Sequence, residues 1–98
     1  MVFMEFKSAL STYMKYAALE LAGKGIRCNA VQPGRINTPL ISNRLLSEED
    51  VTKDIEQYPM KRYGKPEEVA HAIIYLLSDA SAWVTGTNLV IDGGRSLK

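Results

Sequence analysis

Over residues 3–22 the apolar positions recur at helical spacing: Phe3, Phe6, Leu10, Met14, Ala17, Ala18 and Leu21 share one face, with Lys7, Lys15 and Glu20 off it. The pattern predicts a long amphipathic helix. It closes at Gly23-Lys24-Gly25, where glycine takes the left-handed conformation that ends a helix. Residues 26–32 (Ile-Arg-Cys-Asn-Ala-Val-Gln) form a short run that stops at Pro33-Gly34, a turn dipeptide, and predict a buried strand. Residues 35–63 carry Pro39, Pro59 and a charged middle, Ser47-Glu48-Glu49-Asp50-Val51, whose acids suit the positive end of a helix. A loop with one or two short helices is expected there. Pro66-Glu67-Glu68 marks a further helix start, with Val69, Ile73, Leu76 and Leu77 as its buried stripe up to about Ser78. Leu89-Val90-Ile91 then reads as a second short strand, ended by Asp92-Gly93-Gly94.

The order helix, strand, excursion, helix, strand contains no internal repeat and implies an α/β fold whose two strands run parallel, joined by a right-handed crossover. Two parallel strands do not make a stable sheet, because parallel sheets have several strands and helices on both faces. The expected architecture is therefore one partial domain over residues 1–98, the end of a larger α/β sheet whose earlier elements lie upstream.

Composition narrows the function classes. The 98 residues are 46% hydrophobic and 23% charged, which excludes a disordered or low-complexity chain. Twelve Lys and Arg against eleven Asp and Glu leave a net charge of +1 with no run of like charge, so neither nucleic acid nor an anionic membrane is an expected partner. One cysteine, Cys28, and one histidine, His71, allow no internal disulfide and no structural zinc site. No apolar run approaches the ~20 residues of a membrane-spanning helix. The opening Met1-Val2-Phe3-Met4-Glu5-Phe6-Lys7 does not resemble a secretory signal. The expectation is a soluble, cytoplasmic protein.

Two blocks of residues carry a family resemblance. Lys7-Ser8-Ala9-Leu10, Leu19-Glu20-Leu21-Ala22 and the run from Gly25 through Asn29, Pro33-Gly34-Arg35-Ile36-Asn37-Thr38 to Pro39 form the first; Gly64-Lys65-Pro66-Glu67-Glu68-Val69-Ala70, Leu76-Leu77-Ser78-Asp79, Thr85-Gly86 and Asp92-Gly93-Gly94 form the second. Together they resemble the C-terminal half of the short-chain dehydrogenases/reductases, similar to 3-oxoacyl-carrier-protein reductases. The resemblance implies the C-terminal part of a Rossmann-like doubly wound parallel sheet, with residues 39–60 corresponding to the substrate lid.

In that family a tyrosine and a lysine four residues apart stand one turn apart on a helix. The ammonium lowers the tyrosine pKa and binds the nicotinamide ribose, and the tyrosine exchanges a proton with substrate while hydride moves. The lysine position matches Lys7 and the tyrosine position is Phe3, which has no ionisable hydroxyl. Taken alone, Lys7 reads equally as a solvated helix lysine. The resemblance further implies that backbone groups near Pro33, Gly34 and Ile36 meet the nicotinamide amide, and that the Thr38 hydroxyl meets the amide or the pyrophosphate. No Gly-rich phosphate turn is present, and no residue matches the family's catalytic serine.

His71 is expected to be a surface or packing residue, Asn29 a structural hydrogen-bonding residue, and Trp83 and Tyr75 packing residues at an end of the fold that commonly forms a subunit interface. The resemblance thus implies part of an NAD- or NADP-dependent oxidoreductase acting on a carbonyl/hydroxyl pair, inactive as an isolated chain. The alternative is a non-catalytic protein that keeps the family's association surfaces, joining copies of itself or other chains of the family.

Overall fold

The computed structural model describes residues 7–37 and 47–98. Within them the chain runs α1 (Lys7–Ala22), β1 (Ala30–Pro33), α2 (Glu48–Glu56), α3 (Pro66–Leu77) and β2 (Asn88–Ile91), with single 3-10 turns at Asp79–Ser81 and Arg95–Leu97. The two strands pair in parallel, Ala30 opposite Asn88 through Pro33 opposite Ile91. The α/β class and the parallel pairing agree with the sequence pattern.

Each helix boundary has a local cause. α1 ends where Ile26 N–H donates to Leu21 O and Gly25 N–H to Ala22 O, with Gly25 at φ 74°, a closure that needs the left-handed residue. α2 begins at Ser47, whose side chain accepts from the Asp50 N–H at 3.0 Å, and its first turn holds Glu48, Glu49 and Asp50 against the positive end of the helix. α3 begins with Pro66, and the Glu68 carboxylate accepts from the Lys65 N–H at 2.8 Å.

The first strand is shorter than expected and shifted toward its C-terminus. Ahead of the ladder one backbone bond remains, Gly86 N–H to Cys28 O at 2.8 Å, and side chains make the others: Cys28 N–H donates to Thr85 Oγ1 at 3.1 Å, Asn29 Nδ2 to Val84 O at 3.0 Å, and Thr87 N–H to Asn29 Oδ1 at 2.9 Å. Asn29 is thus the structural hydrogen-bonding residue expected. Pro33 fits within β1 because Ala30 and Gly34 donate toward β2, to Thr87 O and Ile91 O, which puts the missing N–H of Pro33 on the far side.

Burial departs from the expected stripes. On α1, Met14 and Ala18 are buried but Leu10 is 47% exposed. On α3, Leu76 is buried while Ile73 and Leu77 are exposed. β1 is half-buried rather than buried. Trp83 is fully exposed and does not pack inside this chain as expected, while Tyr75 is 43% exposed and packs only in part. The reason is common to all: a parallel pair offers one small surface, α3 packs on β1 and on the turn after it, and the remaining apolar faces have nothing in the described chain to meet. Tyr13, Tyr16 and Leu19 extend the apolar surface of α1 around to its other side, as on helices enclosed within a larger fold. His71 is exposed, as expected.

One side chain ties the layers. Arg27 donates from Nη1 to Ser81 Oγ at 3.0 Å and to Val84 O at 3.1 Å, and from Nη2 to Ser78 O at 3.3 Å. Ser81 is completely buried, and its hydroxyl also donates to Leu76 O at 2.9 Å. Arg27 therefore fastens the approach to β1 onto the end of α3. No helix among the described residues is long and apolar enough to cross a membrane.

Candidate functional site at the strand ends

Because β1 and β2 are parallel, their C-terminal ends emerge side by side, the place where open α/β sheets hold ligands. Pro33, Gly34 and Ile36 come together here, in the loop that leaves β1. Alternation along the strand turns the Pro33 carbonyl away from β2, toward the open side of the pair. Gly34 follows, and a Cβ on it would lie 3.0 Å from Asp92 Cβ and 3.1 Å from Tyr58 Cε2. That crowding, not its backbone angle, favours glycine here.

Residues 58–64 cross both strand ends and fix the loop. The Arg35 N–H donates to the Tyr58 hydroxyl at 3.1 Å, Gly64 N–H to Arg35 O at 3.0 Å, and Asn37 N–H to Gly64 O at 2.8 Å. Met60 N–H donates to Gly93 O at 3.1 Å, which joins the same segment to the turn after β2. In that turn Asp92 accepts from the Gly94 and Ser96 N–H groups, both at 3.0 Å. Burial pushes the Asp92 carboxyl up, but the hydrogen bonds from Ser96 and Gly94 outweigh it and hold the group below the usual carboxylate range. Between these pieces lies an open cavity of about 500 Å³, lined by Ile36, Tyr58, Met60, Val90 and Gly93 among others.

Over the loop sits a cluster that sequence reasoning missed. Asp54, near the end of α2, accepts at one oxygen from Arg35 Nη1 at 2.7 Å and from the Tyr63 hydroxyl at 2.6 Å. Tyr63 meets Tyr58 edge to face, centroids 6.0 Å apart, and the Arg35 guanidinium lies 6.0 Å from the Tyr63 centroid. Burial and then the bond to Asp54 raise the Tyr63 pKa. Partial burial pulls the Arg35 pKa down, while Tyr63 and Asp54 more than offset it, so it stands above its ordinary value. A cation directly after a Pro-Gly strand end, with an acid in the next helix, is the one sequence signal that pointed here.

The other expected site residues are placed less fully. Lys7 opens α1, but its side chain, like Phe3 and Thr38, lies outside the described residues.

Comparisons with known proteins bear on the family and the fold. The family model described as enoyl-(acyl carrier protein) reductase matches residues 2–96. The chain is 44% identical over 92 residues to cyclohexanol dehydrogenase of Acinetobacter sp. (strain SE19), covering 94% of this chain and 35% of that protein. It is 46% identical over 88 residues to the 3-oxoacyl-acyl-carrier-protein reductase of Thermotoga maritima, covering 90% and 35%. Among solved structures, 4-hydroxyisoleucine dehydrogenase complexed with NADH superposes with a TM-score of 0.86 at 32% identity, covering 94% of this chain and 38% of that one. The chain thus spans little more than a third of the length of these relatives. By sequence and by fold, the chain belongs to the short-chain dehydrogenase/reductase family.

Proposed function

We propose that this chain is the C-terminal portion of an NAD(P)-dependent short-chain oxidoreductase acting on a carbonyl/hydroxyl pair, and that it is inactive in isolation. The observation that carries the reading is the rigidly held loop at the C-terminal end of β1, with Pro33, Gly34 and Ile36 in it, within a chain similar to a dehydrogenase solved with NADH. These residues fit the nicotinamide end of the cofactor, since the backbone at Pro33 faces the open side of the strand pair. Lys7 would bind the nicotinamide ribose and Thr38 the amide or pyrophosphate. When bound, the cofactor would supply the hydride.

Phe3 at the tyrosine position leaves no proton donor, and positioned acid-base catalysis alone contributes about 10²–10⁴-fold. The test is titration of the folded chain with NADH and NADPH, followed by nicotinamide fluorescence, beside an assay of reductase turnover. Absence of turnover, also from Phe3→Tyr, is expected; turnover by that variant alone would overturn the claim of inactivity. Saturable binding of either cofactor supports the assignment of the loop, and none by a folded chain removes it.

A second reading has its own observation. Ile73, Ile74 and Leu77 of α3 are exposed, as is Trp83 six residues after Leu77, and so much exposed apolar surface favours association with copies of itself or other chains of the family. Residence in the cytoplasm belongs to the same proposal, supported by the lone Cys28.

A further inference from the structure

Arg35, Asp54, Tyr63 and Tyr58 form a closed ring. Arg35 donates to Asp54 through its guanidinium and to Tyr58 through its backbone N–H; Tyr63 donates to Asp54 and packs edge to face on Tyr58. The ring joins the loop after β1 to a stretch some twenty residues further on, the last turn of α2 and the segment that follows it across the strand ends. Two of its members adjoin the backbone bonds that shape the loop, since Gly64, next to Tyr63, exchanges hydrogen bonds with Arg35 and Asn37. Asp54 is the keystone, because a single carboxylate oxygen accepts from both the loop and the crossing segment.

The sites around the ring do not explain it as scaffolding alone. α2 has no fully buried residue, its apolar Val51 and Ile55 being only half-buried. Its C-terminal end bonds the loop through the Arg35–Asp54 pair, at 2.7 Å with the two side chains 44% and 30% exposed, and the crossing segment through the Tyr63–Asp54 bond. A charge-assisted bond of this geometry is stronger than a neutral one, and two such bonds on one acceptor make release of either donor cost the other its alignment.

We propose that Asp54 is a positioning residue for residues 34–37, acting through Arg35 and Tyr63, so that docking of α2 and the shape of the loop rise and fall together. The consequence for cofactor binding rests on the assignment of that loop to the nicotinamide. Asp54 touches no reacting atom; it sets where the backbone of Gly34 and Ile36 stands. A change at the substrate-lid helix would therefore be felt at the cofactor loop, and the reverse.

Amide hydrogen exchange of the full chain, followed by NMR, tests this. Asp54→Asn, which keeps the volume and removes the charge, is expected to speed exchange about tenfold at the amides of Arg35, Asn37 and Gly64. The amides of Ala30 and Gly86, bonded to Thr87 O and Cys28 O at the other end of the strands, should not change. Asp54→Glu should restore most of the protection, and Tyr63→Phe, which leaves the Arg35–Asp54 pair, should give a smaller rise at Asn37 and Gly64. Unchanged exchange at the three loop amides, or an equal rise at Ala30 and Gly86, would overturn the proposal. Adding NADH separates the two readings: if it protects the loop in the wild-type chain, Asp54→Asn should weaken its binding severalfold. If NADH leaves the wild-type chain unchanged, the cofactor assignment fails while the exchange pattern without it still decides the role of Asp54.

Discussion

Arg62 grips Glu68 through two parallel hydrogen bonds, Nη1 to Oε1 at 2.7 Å and Nη2 to Oε2 at 2.9 Å, and the Lys65 N–H donates to the same Oε1 at 2.8 Å. The fork joins the segment that crosses the strand ends to the first turn of α3. Arg62, and after it the Lys65 N–H, lowers the Glu68 pKa from 4.5 to about 2.

A carboxylate whose folded pKa is depressed stabilises the fold above its unfolded value and loses that contribution as the proton binds. The Glu68 contribution is therefore present above about pH 4.5 and fades as the pH falls toward 2. Urea midpoints measured from pH 6 to pH 2 should decline over that window in the wild-type chain and decline less in Glu68→Gln. The two curves should converge at the acid end; parallel curves would show that the fork contributes nothing to the pH dependence.

Gly34 gives a steric prediction. Alanine there sets a methyl 3.0 Å from Asp92 Cβ and 3.1 Å from Asp92 Cα, both close to the backbone of the other strand's turn. The loop or the turn must shift, and overpacking of this kind costs about 1–3 kcal/mol. Thermal unfolding of Gly34→Ala should show a lowered midpoint. Gly23→Ala, where nothing lies within 4 Å of the added carbon, should show no such loss.

Much of the local fold was legible because it rests on short-range chemistry. Ser47 ahead of three acids, Pro66 ahead of two, and Gly25 after a periodic run each name a helix end by themselves. The loop holding Pro33, Gly34 and Ile36 was also legible, since a Pro-Gly pair after a β run marks a strand end. What sequence did not disclose depends on residues brought together from afar. Arg27, in the expected strand, and Ser81 are 54 positions apart, and nothing in the pattern pairs them, yet they meet at 3.0 Å. Asp54, Tyr58 and Tyr63 looked like ordinary members of an irregular stretch until the crossing segment folded them onto Arg35. The expected burial of Ile73 and Leu77 failed for a different reason: helical periodicity marks a face to be covered, without saying that the cover lies in the same stretch of chain.

Arg27 is the residue whose loss should damage the fold most for its exposure. Its guanidinium satisfies Ser81 Oγ and two carbonyls around a completely buried hydroxyl. Arg27→Ala should lower stability by about 2 kcal/mol, since bonds from a charged donor exceed neutral ones. Arg27→Lys should recover less than half of that, because one ammonium cannot reproduce the planar fork that reaches Ser81, Val84 and Ser78 together. Full recovery in the lysine variant, read by urea denaturation, would show that charge rather than geometry carries the tether.

Trp83 is the chain's one tryptophan and is fully exposed, so its emission reports a single position, shortly after the end of α3. If the apolar face of α3 joins copies of the chain, Trp83 passes from water into a contact as concentration rises. Its emission should then shift to the blue and lose accessibility to acrylamide, in step with the mass measured by sedimentation. Leu77→Glu, on the same exposed face, sets a charge where two apolar surfaces would meet and should hold the chain monomeric with Trp83 quenchable at every concentration. Since Leu77 is 79% exposed within the chain, the same change should leave the unfolding midpoint of dilute protein almost unmoved. Emission that stays solvent-exposed in a chain that sediments as a monomer at all concentrations would remove the association surface from this face.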